Sequence, residues 1–302
     1  MLAGNRRKSP SFLDITLATS YSKVITRINN FSSISRYFTD NRFYGLGMKL
    51  KDAFDIKSGE IISLVGGGGK TALMFALARE LAVGDKLVIT TTTTKILEPL
   101  STAPLLLLER DEDRMVKLLL QHLADYRHIT LAGDRLPSGK LLGISSSLVA
   151  KLVELNPVSY IIIEADGAAQ KSLKAPNLTE PVIPDNTSLV VPVVGIDAVG
   201  RSLTAENVFR SEIASQLLGF PLGEVISAEA VARLITHHNG IIKGSPAKAR
   251  IVPFINKVAM PGDLTRAKDL ANQILINRHP QIERVILGQA QLPEPVVGII
   301  QA

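Results

Sequence analysis

The sequence contains no cysteine and no tryptophan, and aromatic side chains make up only 5% of its 302 residues. The absence of cysteine excludes disulfides, thiolate zinc sites, iron–sulfur clusters and cysteine nucleophiles within this chain. Long hydrophobic runs are also absent. The longest, such as residues 189–196, have the length of a strand and fall far short of the roughly 18 residues that a membrane helix needs. We therefore expect a cytoplasmic protein that does not insert into a membrane.

Positive charge is concentrated at the start of the chain. Residues 1–47 contain seven Lys and Arg residues against two Asp residues, which accounts for +5 of the net charge of +6. The rest of the sequence is therefore close to neutral and lacks the basic patch that is typical of nucleic-acid binding. We expect no nucleic-acid partner.

Residues 1–47 also differ in composition from the rest of the chain, because they are rich in Ser, Asn and Arg and lack the apolar core of a secretory signal. Three interpretations of this basic leader remain open: a misassigned start codon with Met48 as the true first residue, a disordered tail, or an organellar transit peptide. The predicted domain covers residues 48–302.

From Met48 onward, apolar runs of strand length alternate with stretches of helical period, which indicates an α/β fold with a mostly parallel sheet flanked by helices. The predicted strands are 61–65, 86–91, 105–108, 128–131, 160–164, 189–194, 250–255 and 284–287. The predicted helices are 70–81, 111–124, 145–155, 205–218, 228–236 and 264–277. The Pro-containing segment 166–186 has no clear period and is predicted to be a long functional loop.

A glycine-rich turn connects the first predicted strand to the first long helix. It consists of Gly66, Gly67, Gly68, Gly69, Lys70 and Thr71. Glycines allow backbone N–H groups to surround phosphate oxygens, and a helix N-terminus adds a favourable dipole. Lys70 would neutralise the outer phosphates, and the Thr71 hydroxyl would ligate Mg²⁺. The sequence therefore predicts a P-loop NTPase-like fold and a nucleotide site at this turn.

The spacing of the turn departs from the common GxxxxGK[ST] pattern, because Leu64 stands where that pattern has its first glycine. The shorter GxxGKT form resembles the phosphate loop of the Mur ligase family. A dinucleotide-binding turn is disfavoured, because Thr71 occupies the position of its third glycine. An ordinary glycine-rich turn remains the simplest alternative.

Two carboxylates follow the apolar strand at 160–164. Glu164 and Asp166 are two residues apart and would lie on the same edge of a parallel sheet as the phosphate loop, where one would hold Mg²⁺ and the other would orient the attacking group. A solvated strand end is the alternative. Thr92 belongs to a run of five threonines, 90–94, which would contact Mg²⁺ or the terminal phosphate, although threonine is also a good strand former.

Asparagine and lysine residues elsewhere in the sequence are further candidates for nucleotide or substrate binding. Asn256 and Lys257 resemble the start of the NKxD base-recognition motif, but Ala259 replaces its aspartate, so both ATP and GTP remain open. Lys174, like Lys140 and Lys171, is predicted to lie in a loop that delivers positive charge to an anion. A solvated surface lysine is the alternative at each of these three positions.

Several of these motifs occur in the order found in the YqeC family: IISLVGGGGKT, TTTTK, YIIIEADGA, the stretch 174–184 and PFINK. The resemblance covers about residues 48–291, and family domains begin near the equivalent of Met48. Members are described as accessory proteins of selenium-dependent molybdenum hydroxylases, so the resemblance implies a client molybdenum hydroxylase, or its cofactor, as partner. By this resemblance, the residues expected to have the functional roles of the family are the phosphate loop, Glu164, Asp166 and Lys174.

The resemblance leaves three functions open. The first is an Mg²⁺-dependent NTPase that serves the maturation of the client, with Lys70, Glu164 and Asp166 as its catalytic residues. The second is a nucleotide-gated chaperone with little turnover. The third is a Mur-like ATP-dependent ligase.

Overall fold

The alternation of strands and helices in the sequence produces an α/β fold in the computed structural model, which describes residues 43–44, 47–98, 105–156 and 158–302. Tyr44–Ala302 forms one compact unit. The predicted leader lies almost entirely outside the described residues.

Sixteen strands are present in the described residues. They are β1 (Phe43–Tyr44), β2 (Ile61–Gly66), β3 (Leu87–Thr92), β4 (Lys95–Leu97), β5 (Leu106–Leu108), β6 (His128–Ala132), β7 (Asp134–Arg135), β8 (Lys140–Leu142), β9 (Val158–Glu164), β10 (Leu173–Lys174), β11 (Leu189–Gly195), β12 (Val208–Phe209), β13 (Arg250–Ile251), β14 (Phe254–Asn256), β15 (Arg284–Gly288) and β16 (Val296–Gln301).

The α-helices span Leu50–Ala53, Lys70–Leu81, Glu112–His122, Ser146–Val153, Ser211–Leu218, Ala228–Thr236 and Pro261–Ile276, and a 3-10 turn covers Ile196–Ala198. Among the helices of the described residues, none combines the length and the apolar character that crossing a membrane requires.

The central sheet has the strand order β16-β15-β14-β11-β2-β9-β3-β6-β5, and β13 also pairs with β11. Its pairings are parallel except for that of β15 with β16, which is antiparallel. The predicted α/β class with a mostly parallel sheet is therefore confirmed. Because β2 is the central strand, its carboxyl end lies where ligands bind in open parallel sheets.

Helices bury the strands of this sheet, as parallel sheets require. All six residues of β2 are buried. The helix Lys70–Leu81 contributes Leu73, Met74 and Leu77 to a core cluster, where they join Leu64 on one face of the sheet. The chain therefore leaves β2 and immediately starts a helix that is held firmly against that strand.

Two small sheets were not predicted. One joins β4, β8 and β7 in antiparallel fashion, and the other pairs β10 with β12 in parallel. The prediction of a loop throughout 166–186 is wrong at Leu173–Lys174, which forms β10. The helix predicted at 205–218 begins only at Ser211, because Val208–Phe209 forms the strand β12 that pairs with β10. Lys140 likewise lies in β8 rather than in a loop.

Candidate functional site

The carboxyl ends of five parallel strands meet at one edge of the central sheet. Strand register aligns Gly66 with Val193, Glu164 with both Leu64 and Thr92, and Gly195 with Asn256. A cavity of about 930 Å³ opens over this edge. It is lined by the second half of the glycine-rich turn, by segments of the polar loop 167–182 and by β4 and β8.

The glycine-rich turn has a backbone shape that other residues could not adopt. Gly68 has a φ of +78°, and a Cβ atom there would lie 2.2 Å from the backbone nitrogen of Gly195. Gly69 has a φ of +116° and is the N-cap of the helix Lys70–Leu81. Because side chains are excluded, the turn stays close to β11 and delivers the helix N-terminus directly to the cavity.

Lys70, the first residue of this helix, is buried with an exposed fraction of only 3%. Its Nζ donates to the carbonyl oxygen of Gly66 at 2.6 Å and lies 3.1 Å from Asp166 Oδ1 and 3.5 Å from Glu164 Oε1. Burial alone would lower the pKa of Lys70, but the two carboxylates outweigh burial and raise it. Lys70 is therefore a fixed cation at neutral pH.

Asp166 joins the glycine-rich turn to a second buried lysine. Its Oδ2 accepts a hydrogen bond from the backbone nitrogen of Gly66 at 3.0 Å and lies 3.1 Å from the Nζ of Lys174. Its Oδ1 is buried and accepts no hydrogen bond, although it faces Lys70 as an ion pair. Asp166 thus holds the end of β2 in position.

The chain of charges continues beyond Lys174. Lys174 Nζ lies 2.9 Å from Glu180 Oε2, which in turn accepts a hydrogen bond from Arg210 Nη1 at 2.6 Å. The Arg210 guanidinium stands 4.6 Å from the centroid of the Phe209 ring, within cation–π distance. Alternating charges therefore run from Glu164 through Lys70, Asp166, Lys174 and Glu180 to Arg210.

Glu164 and Thr71 contact each other at this edge of the sheet. The Thr71 hydroxyl donates to Glu164 Oε2 at 2.7 Å. Burial raises the pKa of Glu164, against the opposing effect of Lys70 and Thr71. Mg²⁺ is usually bound through one or two carboxylates together with substrate phosphates, so the Thr71 hydroxyl and the Glu164 carboxylate, which both line the cavity, fit it. The described residues contain no cluster of three or more His, Cys, Asp or Glu side chains suited to a metal on its own.

The Asn256-Lys257 pair lies on the other side of the turn. Asn256 is buried, donates from Nδ2 to the Gly68 carbonyl at 2.7 Å and accepts from the Ala290 backbone at 2.9 Å. Lys257 has a φ of +66° and reaches Asp197 Oδ2 at 2.9 Å. Asn256 thus supports the glycine-rich turn, while Lys257 lines the cavity.

The sequence of this chain is similar to that of known proteins. The family model described as YqeC protein matches residues 62–212, a range that contains the phosphate loop, Glu164, Asp166 and Arg210. A similar protein from Escherichia coli (strain K12), "Uncharacterized protein YqeC", is 30% identical over 231 residues, which cover 76% of this chain and 88% of that protein. The chain belongs to the YqeC family.

The YqeC-family fold brings only part of the predicted site to the cavity surface. Of the predicted residues, those that line the cavity are Gly68, Gly69, Lys70, Thr71, Glu164 and Lys257. Those that lie behind it are Gly66, Gly67, Thr92, Asp166, Lys174 and Asn256. Thr92 is buried, and its hydroxyl donates to the Glu164 carbonyl at 2.8 Å. Thr94, two residues further on, lines the cavity instead.

Sequence reasoning missed Glu180 and Arg210. Both line the cavity of this YqeC-family chain, and both belong to the chain of alternating charges. Glu180 lies in the stretch 174–184 that carries part of the family resemblance, so that stretch was the available signal. Arg210 has no local signal, because it reaches Glu180 only through the pairing of β10 with β12.

Proposed function

We propose that this chain binds ATP or GTP together with Mg²⁺, with the phosphates on the loop from Gly66 to Thr71, and that it hydrolyses the nucleotide. One observation carries the proposal: at the central strand of a parallel sheet, a glycine loop brings the charged Lys70 and the carboxylate of Glu164 to an open cavity, with the carboxylate of Asp166 behind them. A cation on a helix N-terminus is suited to phosphate oxygens, and strand-end carboxylates are suited to Mg²⁺.

Each residue has a definite task in this proposal. Lys70 exchanges the Gly66 carbonyl for outer phosphate oxygens, and it stabilises the negative charge that develops on them. Thr71 and Glu164 hold Mg²⁺, which neutralises phosphate charge when bound. Asp166 keeps Lys70 and the end of β2 in position through its contacts to both.

The biological role in this proposal rests on the family resemblance. Nucleotide turnover would serve as an accessory step in the maturation of a selenium-dependent molybdenum hydroxylase, with that enzyme or its cofactor as client. Selenium and molybdenum are supported by the resemblance alone, since the described residues supply no thiolate ligand.

A binding titration tests the nucleotide site. Fluorescent analogues of ATP and GTP are titrated into the full chain with and without Mg²⁺, and phosphate release is followed under steady state. We expect one nucleotide to bind in an Mg²⁺-dependent manner. Lys70→Ala should abolish turnover, because charge stabilisation of this kind contributes roughly 3–4 kcal/mol.

Lys86→Ala is the matched control, since Lys86 is an exposed lysine at the amino end of β3, at the opposite edge of the parallel sheet from the loop. If Lys70→Ala binds and turns over nucleotide like the parent chain, the site is assigned wrongly.

The nucleotide-gated chaperone is the second candidate, and the engagement of Lys70 favours it. Both carboxylates and the Gly66 carbonyl already contact its Nζ, so nucleotide binding has to rearrange these contacts. Tight binding without steady phosphate release, together with a nucleotide-dependent change in protease sensitivity of the segment 167–186, would favour the chaperone over the hydrolase.

A further inference from the structure

Two lysines project from the small antiparallel sheet that borders the cavity. Lys95 pairs with Leu142 across β4 and β8, and Leu97 pairs with Lys140, so Lys95 and Lys140 are diagonal neighbours on the same face. Diagonal neighbours in antiparallel strands are about 7–8 Å apart. Both side chains line the cavity that contains Lys70.

Lys95 and Lys140 differ from the other cations of this cavity. Lys70 and Arg210 form ion pairs, Lys257 pairs with Asp197, and Lys171 donates to a backbone carbonyl. Within the described ranges, the exposed ammonium groups of Lys95 and Lys140 have neither a hydrogen bond nor an ion pair. Their positive charge is therefore available to a ligand.

The small sheet is held in a defined place relative to the phosphate loop. The Thr93 backbone nitrogen donates to the Glu164 carbonyl at 3.3 Å, and its hydroxyl donates to the Val182 carbonyl at 2.6 Å. At the same end of the β4–β8 pair, the Ile144 nitrogen donates to the Thr92 carbonyl at 2.8 Å. Hydrogen bonds therefore attach the end of the β4–β8 pair that carries Lys95 to the ends of β3 and β9.

The cavity has room for more than one small ligand. Its volume of about 930 Å³ is near the upper end of the roughly 300–1,000 Å³ that single small-molecule sites occupy. One border carries the phosphate loop, and another carries the two unpaired lysines. Lys95 and Lys140 therefore line the cavity from strands other than the one that leads to Lys70.

We propose that Lys95 and Lys140 form a second anion subsite, which binds the carboxylate or phosphate group of a second small substrate while nucleotide occupies the phosphate loop. This inference rests on the proposed nucleotide site and names the chemical class of the second ligand. Because both lysines are exposed, their attraction for an anion is screened by salt, so binding at this subsite must weaken as ionic strength rises.

The experiment is a calorimetric titration of the full chain, saturated with Mg²⁺ and a non-hydrolysable analogue of whichever triphosphate binds. Inorganic phosphate and succinate are added in separate runs, which distinguishes a phosphate from a carboxylate ligand. We expect one of them to bind, and we expect Lys95→Ala/Lys140→Ala to weaken it by about tenfold or more while nucleotide affinity changes by less than about twofold.

Two control variants accompany this test. Lys95→Arg/Lys140→Arg keeps the charge and should retain most of the anion affinity, and Lys86→Ala/Lys117→Ala removes two exposed lysines elsewhere and should leave it unchanged. The proposal is overturned if neither anion binds the parent chain, if the alanine pair binds like the parent, or if nucleotide affinity falls together with anion affinity.

Failure of the nucleotide site gives a different result from failure of the anion subsite. If the parent chain binds no nucleotide, the same two anions are titrated into nucleotide-free Lys70→Ala, in which the cation of the phosphate loop is absent. Anion binding that still depends on Lys95 and Lys140 then supports the subsite, and its absence overturns it.

Discussion

Replacement of Lys174 by methionine removes a cation that is completely buried between two carboxylates. Its Nζ lies 3.1 Å from Asp166 Oδ2 and 2.9 Å from Glu180 Oε2, and it donates to the Gly167 carbonyl at 2.7 Å. Methionine keeps much of the volume of the side chain but none of its charge. The substitution therefore tests what the ion pairs contribute to the fold.

The magnitude depends on the partners that each carboxylate retains. Removal of one partner from a buried ion pair typically costs about 3–5 kcal/mol, because the other charge stays buried without compensation. Here Asp166 keeps Lys70 at 3.1 Å, and Glu180 keeps Arg210 at 2.6 Å. We therefore expect the lower end, about 3 kcal/mol, which is a large part of the roughly 5–15 kcal/mol by which domains are stable.

Urea unfolding followed by far-UV circular dichroism near neutral pH measures this loss. The midpoint should fall by about 1 M urea or more. Lys86→Met, at an exposed position, should change stability by less than about 0.5 kcal/mol. Asp166→Asn should cost less stability in the Lys174→Met background than in the parent chain, because Asp166 has already lost one of its two lysine partners there. A loss below about 1 kcal/mol for Lys174→Met would refute this reasoning.

Three further predictions concern the loop and the core. Gly68→Ala should lower the free energy of unfolding by more than about 3 kcal/mol in a thermal melt and abolish nucleotide binding, because its Cβ would lie 2.2 Å from the Gly195 nitrogen. Gly84→Ala is the control: Gly84 also has a positive φ but has open space around it, so this substitution should cost only about 1 kcal/mol. Burial lowers the pKa of His128 to about 4. Between pH 7 and pH 5, the free energy of unfolding should therefore fall by about 2 kcal/mol more in the parent chain than in His128→Gln. Equal losses in the two chains would contradict this. Asn256→Ala should weaken nucleotide binding and cost about 1–3 kcal/mol per lost buried hydrogen bond, while unchanged affinity would count against its support of the loop.

The sign of the His128 effect is set by its burial. The unfolded chain takes up a proton below about pH 6.5, whereas the folded chain does so only near 4. The contribution of His128 to stability is therefore fully present above the pKa of the unfolded chain and is lost as the pH falls toward the pKa of the folded chain.

The sequence by itself determined most of the secondary structure of the central sheet. The helices at Lys70–Leu81 and Ala228–Thr236 have their predicted bounds, and the eight predicted strands all correspond to strands of the central sheet, with one of them divided in two. These elements obey local rules, because apolar periodicity and helix-capping residues act over only a few positions. The strand at Val296–Gln301 was missed, since its antiparallel pairing at the end of the chain carries no local signal.

The glycine-rich turn between β2 and the helix Lys70–Leu81 was also readable from sequence, because glycines between a strand and a helix constrain the backbone locally. What only the tertiary structure decided is where the surrounding polar side chains point. Lys174 is buried under the loop, Asn256 supports it from 188 positions away, and Arg210 reaches Glu180 across the β10–β12 pair. Such contacts depend on which strands become neighbours, and that choice is made by the packing of the whole domain rather than by any short stretch of the chain.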